Sequence, residues 1–194
     1  MNHKYQDILR KVKEKVKAAN DSPKNKYGVS VWKYHLELVA GYALKLAKEL
    51  KADAQVVELA AYLHDYAALL DAKNDKDHHI LGAKEAEAML SSLGYHLDKT
   101  KAVAECVLCH RGSVKLARPT LEAKIVASAD AMSHFSCAPD MFYLAYNRHG
   151  LETEEGVAWL RGKLERSWSK IIPEGKRIIK KNRDLFFKML DQVK

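Results

Sequence analysis

The sequence predicts an all-α fold, and three observations carry that prediction. Apolar residues recur at helical spacing along nearly the whole chain. Only 9 glycines and 4 prolines punctuate 194 residues, too few for the many tight turns of an all-β architecture. Helix-starting residues, Asp or Pro ahead of an apolar run, recur between the periodic stretches. The length fits one domain over residues 1–194 with a core large enough to need no disulfide or metal staple.

The first helix runs from Tyr5 to Ala19, with Ile8, Leu9, Val12 and Val16 on one side and lysines mostly on the other. Asn20 to Asn25 is turn chemistry, and Tyr27-Gly28 leads into a second helix from about Ser30. There Val31, His35, Leu38, Val39, Tyr42 and Leu46 share a stripe, so His35 points inward. Asp53 suits the N-cap of a third helix, whose apolar face includes Val56, Val57, Ala60, Leu63 and His64. Asp65 follows His64 at about 100° around the helix, close enough to the core edge to turn toward the same point.

After the polar loop Asp71 to His79, Asp77 suits the cap of a helix from Ile80 to Leu93, with His78 and His79 at its entrance. Gly94 ends that helix, Asp98 suits the cap of the next, which carries Val103, Val107 and His110, and Gly112 stops it. Pro119 opens a longer helix in which Asp130 lies among small and apolar neighbours, Ile125 to Met132. A carboxylate there needs a partner. Pro139 marks a break, and the remaining chain reads as helices with an apolar stripe, Trp159, Leu160, Leu164 and Trp168 followed by Ile178, Ile179, Phe186 and Leu190, and a basic outer face. Packing accounts for these residues.

Composition narrows the function classes. Three cysteines do not make a disulfide framework, and no apolar run approaches ~20 residues, so a reducing cytoplasm and no membrane span are expected. The net charge of +8 permits an anionic partner, phosphorylated metabolite or nucleic acid, but a solvated lysine-rich surface explains it equally well.

The inward polar residues are His35, His64-Asp65 and Asp130, with His79 and His110 between. Singly, each has a blander account: a satisfied core histidine or a buried ion-pair partner. Together, two imidazoles and two carboxylates form a mixed nitrogen and oxygen shell that suits Mn, Fe, Co, Ni or Zn with positions left for water. Calcium prefers more oxygen, and structural zinc more often takes thiolates.

The spacing of His35, His64-Asp65 and Asp130, with the apolar run Leu59 to Leu63 before the pair, Asp77-His78-His79-Ile80 after the loop and Glu122 to Asp130 later, resembles the HD-domain superfamily of metal-dependent phosphohydrolases. The resemblance covers about residues 30–135. It implies an all-α helical bundle in which His35, His64, Asp65 and Asp130 bind one divalent metal, Mg being a further candidate. The N-terminal and C-terminal helices then pack on this core. In members with two metals the second uses extra histidines, which points to His79 and His110 for a weaker second ion. Arg111 stands where such members can carry another histidine. The implied reaction is hydrolysis of a small phosphate ester, with nucleotides the expected substrate class, by a water whose pKa the metal lowers toward ~7. His64 and Asp65 then belong to the reacting centre, His79 and His110 to phosphate orientation or leaving-group protonation, and Arg111 to charge neutralisation. His134, one turn past Asp130, suits a supporting group. Trp32, Tyr34, Tyr62 and Tyr66 lie near these motifs, where a base could stack, although core packing also explains them.

Three other readings compete. Cys106-Val107-Leu108-Cys109-His110 matches the attachment pattern of a c-type haem, but leaves His35, His64-Asp65 and Asp130 unexplained. A basic helical protein that binds nucleic acid would use Lys176, Arg177, Lys180, Lys181 and Arg183, yet no groove-reading motif accompanies them. An HD-like protein can also bind a ligand without hydrolysing it.

Overall fold

The computed structural model describes residues 3–114 and 116–193 and is built from helices, with no strand among the described residues. Helix α1 (His3–Asn20) buries Tyr5, Ile8, Leu9, Val12 and Val16, the predicted stripe, against the helices that carry His64 and Asp65. The Tyr5 hydroxyl donates to Glu58 at 2.6 Å. A loop returns the chain, pinned by the Asn25 amide, which donates to the carbonyls of Asn20 and Gly28. Gly28 has φ +90° and lies against the Tyr143 ring, its hydroxyl 3.3 Å from where a Cβ would stand. A larger residue would meet both backbone strain and that ring.

The predicted second helix is two pieces. Trp32–Leu36 forms a wide π-helical turn that feeds α2 (Glu37–Leu50). Helix α3 (Ala54–Leu63) begins as expected at Asp53, whose carboxylate accepts from the backbone N–H groups of Gln55 and Val56. It does not run through the His-Asp pair. The helix ends before His64, Asp65 adopts φ −104° and ψ 5°, and a short α4 (Tyr66–Leu70) restarts the chain in a new direction.

After a 3₁₀ segment (Ala72–Asp77), capped by Asp71, come α5 (His78–Ser92) and α6 (Leu97–Cys109). Asp77 makes no capping hydrogen bond and Asp98 falls inside the first turn of α6, so neither caps through its side chain. The cap of α7 (Leu121–Ser136) is Thr120 rather than Pro119, its hydroxyl accepting from Ala123 N–H. Helix α8 (Ala138–Phe142), a second π-helical turn (Tyr143–Arg148), α9 (Thr153–Lys170) and α10 (Pro173–Leu190) complete the fold.

Helix α7 is the central element, packed by α2, α3, α6, α9 and α10. Every residue from Ile125 to Ser133 is buried. A helix enclosed on all sides has no polar face, and the small residues Ala127, Ser128, Ala129, Ala131 and Ser133 let its neighbours approach closely. Asp130 is the one carboxylate in that stretch. The buried apolar residues of α1 to α10 form one continuous cluster.

The Asp53 cap offers a test of the local assignment. Asp53→Ala leaves two N–H groups of α3 without a partner and is expected to lower stability by about 1 kcal/mol, read as a reduced midpoint in urea unfolding. An unchanged midpoint would remove the cap from the account.

Candidate metal centre

The functional side chains sit where regular helix is interrupted. His35 comes from the π-helical turn, His64 and Asp65 from the break between α3 and α4, His78 from the first residue of α5, and His110 from the residue after α6. Asp130 and His134 come from the enclosed α7, one turn apart. At helix ends and breaks, successive side chains are released from the 100° rotation that would separate them. That release lets adjacent His64 and Asp65 serve one point.

The Nε2 atoms of His35 and His64 are 3.0 Å apart. Asp65 Oδ2 lies 3.3 Å from His64 Nε2 and 3.5 Å from His35 Nε2, and Asp130 Oδ1 lies 3.7 Å from His35 Nε2. On the other side of the Asp65 carboxylate, Oδ1 is 3.4 Å from His78 Nε2 and 3.6 Å from His110 Nε2. Those two nitrogens are 3.1 Å apart. Asp65 therefore stands between two imidazole pairs, one oxygen toward each.

Each ring is oriented from behind. The Nδ1–H groups of His64, His78 and His110 donate to the carbonyls of Ala61, Asp75 and Val107 at 2.8, 2.7 and 2.6 Å. His35 Nδ1 donates to Ser133 Oγ at 2.9 Å, because that hydroxyl spends its own proton on the Asp130 carbonyl. Ser167 treats His134 in the same way, accepting from its Nδ1 at 2.9 Å while donating to the Lys163 carbonyl. With the Nδ1 protons fixed, all five imidazoles present Nε2 to the interior.

This tests whether a metal fits. In neutral imidazoles so oriented, His35 and His64 aim lone pairs at each other, as do His78 and His110. Two lone pairs at that distance repel unless a positive centre lies between them. One proton can serve one pair, and a divalent cation serves with two charges. The donor set suits such an ion: ligand-capable atoms of His35, His64 and Asp65, and of Asp65, His78 and His110, lie within 4.8 Å of one another.

Electrostatics agree. Burial opposes charge on His64, yet Asp65 and then Asp130 outweigh it and raise its pKa to about 9. Burial also opposes ionisation of Asp65, but the imidazoles of His64, His110 and His35 hold it well below the usual carboxylate range. Asp130 is kept ionised against burial by Lys170 first and His134 next. His110 goes the other way, burial taking it down to about 4 in spite of Asp65. His134 is likewise pushed well down by burial, then by Lys163. The result is two ionised carboxylates among imidazole nitrogens at the wall of one cavity.

The structure brings together His35, His64, Asp65, Asp130 and His110, five of the residues singled out from the sequence. It places His79 elsewhere. His79 is turned away from Asp65, with Nδ1 facing the Arg111 guanidinium at 3.5 Å, and it is His78 that meets His110. The α5 helix starts at His78 rather than at Ile80, and consecutive helical residues diverge, so only one of the two can face the centre. Arg111 lines the cavity, donating to Ser113 Oγ at 2.7 Å and to the Lys76 carbonyl. Of the four aromatic residues near the motifs only Tyr34 borders the cavity, whereas Tyr62 and Tyr66 are core and Trp32 packs on Tyr62. Cys106 and Cys109 are buried thiols whose pKa values burial raises.

Lys170 was not legible as part of the site. Its ammonium lies 2.5 Å from Asp130 Oδ2 and donates to the His110 carbonyl at 3.1 Å. The cavity into which the His/Asp cluster opens has a volume of about 360 Å³ and takes one wall from α9, through Trp159, Lys163 and Lys170. Spacing of four and seven between those three was the available signal, since it puts them on one helical face.

The HD domain family model matches residues 32–134, more than half of the chain, and the chain belongs to that family. It is 36% identical over 107 residues to Ribonuclease Y of Thermoanaerobacter pseudethanolicus, a match that covers 55% of this chain and 19% of that protein. The chain thus spans about a fifth of the length of that curated relative. Among solved structures, Bacillus subtilis YpgQ aligns over 97% of this chain and 95% of its own, with a TM-score of 0.73 and 17% identity. A structure described as a predicted HD superfamily hydrolase, from an uncultured Thermotogales bacterium, aligns over 89% and 92% with a TM-score of 0.58 and 23% identity. Both share the all-α fold.

The orientation of His35 can be tested from behind. Ser133→Ala removes the acceptor of its Nδ1 proton and is expected to weaken Mn²⁺ binding by about 10- to 100-fold in calorimetric titration. Affinity equal to the parent protein would show that Ser133 has no part in setting the ring.

Proposed function

We infer that this chain is a metal-dependent phosphohydrolase that acts on a small phosphate ester, with a nucleotide the expected class. The observation that carries the reading is Asp65 held between two opposed imidazole pairs, beside a cavity walled by Arg111, Lys163 and Lys170. A site built to hold two positive charges and then an anion is what phosphoryl transfer requires. Membership of the HD-domain family supports hydrolysis as the reaction class.

His35, His64, Asp65 and Asp130 would hold one divalent ion, Mn, Fe, Co, Ni, Zn or Mg, and Asp65, His78 and His110 a second. Such ions supply an acidified water and a positive field for the phosphoryl oxygens. The chain's own groups do the rest. Asp65 keeps the two ligand sets at a fixed separation, and the carbonyl-anchored rings hold their tautomers without reorganisation. Arg111 presents a guanidinium toward the cavity, where it can neutralise charge that accumulates on phosphate. His79 buttresses Arg111 rather than touching the reacting group, and burial together with that guanidinium keeps its pKa below the ordinary histidine value.

A second reading has the likeness to Ribonuclease Y behind it: a phosphodiester in nucleic acid as the substrate. The cavity of about 360 Å³ matches small-ligand sites and favours the compact ester. Among the described residues no helix is long and apolar enough to cross a membrane, and the three cysteines are unpaired, in keeping with a reducing compartment such as the cytoplasm.

The deciding experiment is a hydrolysis screen of nucleotides, small phosphate esters and a short oligoribonucleotide with each of Mn, Co, Ni, Mg and Zn. Turnover is expected only with metal, and His64→Ala or Asp65→Ala should reduce it to background. If both variants keep full turnover and metal content, the site assignment is lost. His78→Ala and His110→Ala are each expected to lower the bound metal from two equivalents toward one, by elemental analysis of the dialysed protein. Unchanged stoichiometry would remove the second ion.

A further inference from the structure

Helix α9 lies outside residues 32–134, yet its last residue reaches into the metal centre. The Lys170 side chain is only 6% exposed, and its ammonium lies 2.5 Å from Asp130 Oδ2. The same ammonium donates to the His110 carbonyl at 3.1 Å. His110 is the C-cap of α6, where carbonyls are left without an N–H partner and the helix dipole is negative, so a lysine there meets a favourable field as well as an acceptor. The stem of Lys170 runs along the backbone of Gly112, where a Cβ would stand 3.4 Å from both Cδ and Nζ. Bounded along its stem and bonded twice at its tip, Lys170 is fixed between a residue of one ligand set and a residue of the other.

This pairing divides the Asp130 carboxylate. Oδ1 faces the imidazoles, 3.5 Å from His134 Nε2, 3.7 Å from His35 Nε2 and 4.0 Å from His64 Nε2, while Oδ2 faces Lys170. An oxygen committed to an ammonium is a poor ligand for a second cation, because two positive centres would then crowd one atom where little water screens them. We propose that Lys170 is a positioning residue that limits Asp130 to one ligand oxygen and thereby sets which divalent ion the centre accepts. This rests on the phosphohydrolase reading, which puts an ion at His35, His64, Asp65 and Asp130, and adds to it a selectivity element supplied by α9. Calcium takes about six to eight oxygens and readily accepts two from one carboxylate, whereas ions such as Mn are content with imidazole and single carboxylate oxygens. With imidazoles as the main donors and Oδ2 withheld, the centre falls short of the oxygen count that calcium needs. Loss of the ammonium has two effects of different reach: the missing positive charge favours every divalent ion alike, whereas the oxygen returned to the centre favours calcium most.

The test is the ratio of Mn²⁺ to Ca²⁺ affinity, measured by calorimetric titration of each ion into the metal-stripped whole chain and read at the tighter site. The parent protein is expected to bind Mn²⁺ far more tightly than Ca²⁺. Lys170→Met, which keeps the stem and removes the ammonium, should narrow that ratio at least about tenfold, the scale of one charge-assisted contact. Lys170→Arg, which keeps the charge and the donors, should retain most of it. A merely structural role would lower both affinities together and leave their ratio where it was. If Lys170→Met loses its helical circular dichroism, Lys170→Gln, with a neutral amide in place of the ammonium, carries the same comparison. An unchanged ratio in the neutral variant, or equal affinity for the two ions in the parent, overturns the proposal and leaves the phosphohydrolase reading intact. A parent protein that holds neither ion overturns both.

Discussion

The structure depends on keeping two carboxylates ionised although both are largely withdrawn from water at the wall of a cavity. Asp65 and Asp130 are both buried, and each survives as an anion because cationic or polarisable groups surround it. For Asp65 those groups are imidazoles from four separate elements, so the charge cannot be satisfied until the π-helical turn, the α3 break, α5 and α6 have all assembled. A buried unpaired carboxylate costs several kcal/mol, which makes the site a condition of the fold as well as its product. The small residues of α7 are part of the same arrangement. They thin the central helix so that the π-helical turn, the end of α6 and α9 can bring His35, His110 and Lys170 close to one axis.

Much of this was legible in the chain. The helical period placed α1, α2, α3, α5, α6 and α7 because each carries an apolar stripe that survives in the packed structure. His35, His64-Asp65, His110 and Asp130 stood out since polar residues on such stripes have no packing use. What pattern could not show is where a helix stops being regular. Apolar residues on both sides of His64-Asp65 read as one helix, and only the packed structure reveals the turn that lets adjacent residues share a target. The exchange of His79 for His78 has the same origin, a helix start displaced by two residues. Side-chain caps at Asp77 and Asp98 failed for a related reason: capping propensity marks a neighbourhood, while the terminus itself is set by tertiary contacts.

Lys163, Lys170 and Trp159 illustrate a different limit. A lysine on an amphipathic helix is nearly always explained by solvent, and a tryptophan beside it by the core. Both accounts describe the sequence of α9 well. They fail here because the face of α9 with Trp159, Lys163 and Lys170 borders a cavity while Leu160 and Leu164 pack in the core, and no periodicity distinguishes a wall from a filled core.

The division between residues 32–134 and α9 has an evolutionary corollary. The groups that would perform the chemistry and the groups that would choose its object come from different lengths of chain, joined through Lys170 and Ser167. Likeness across the first stretch alone therefore says nothing about the second. Kinship measured over residues 32–134 alone is then a poor guide to diet, because the helix that walls the cavity lies outside them.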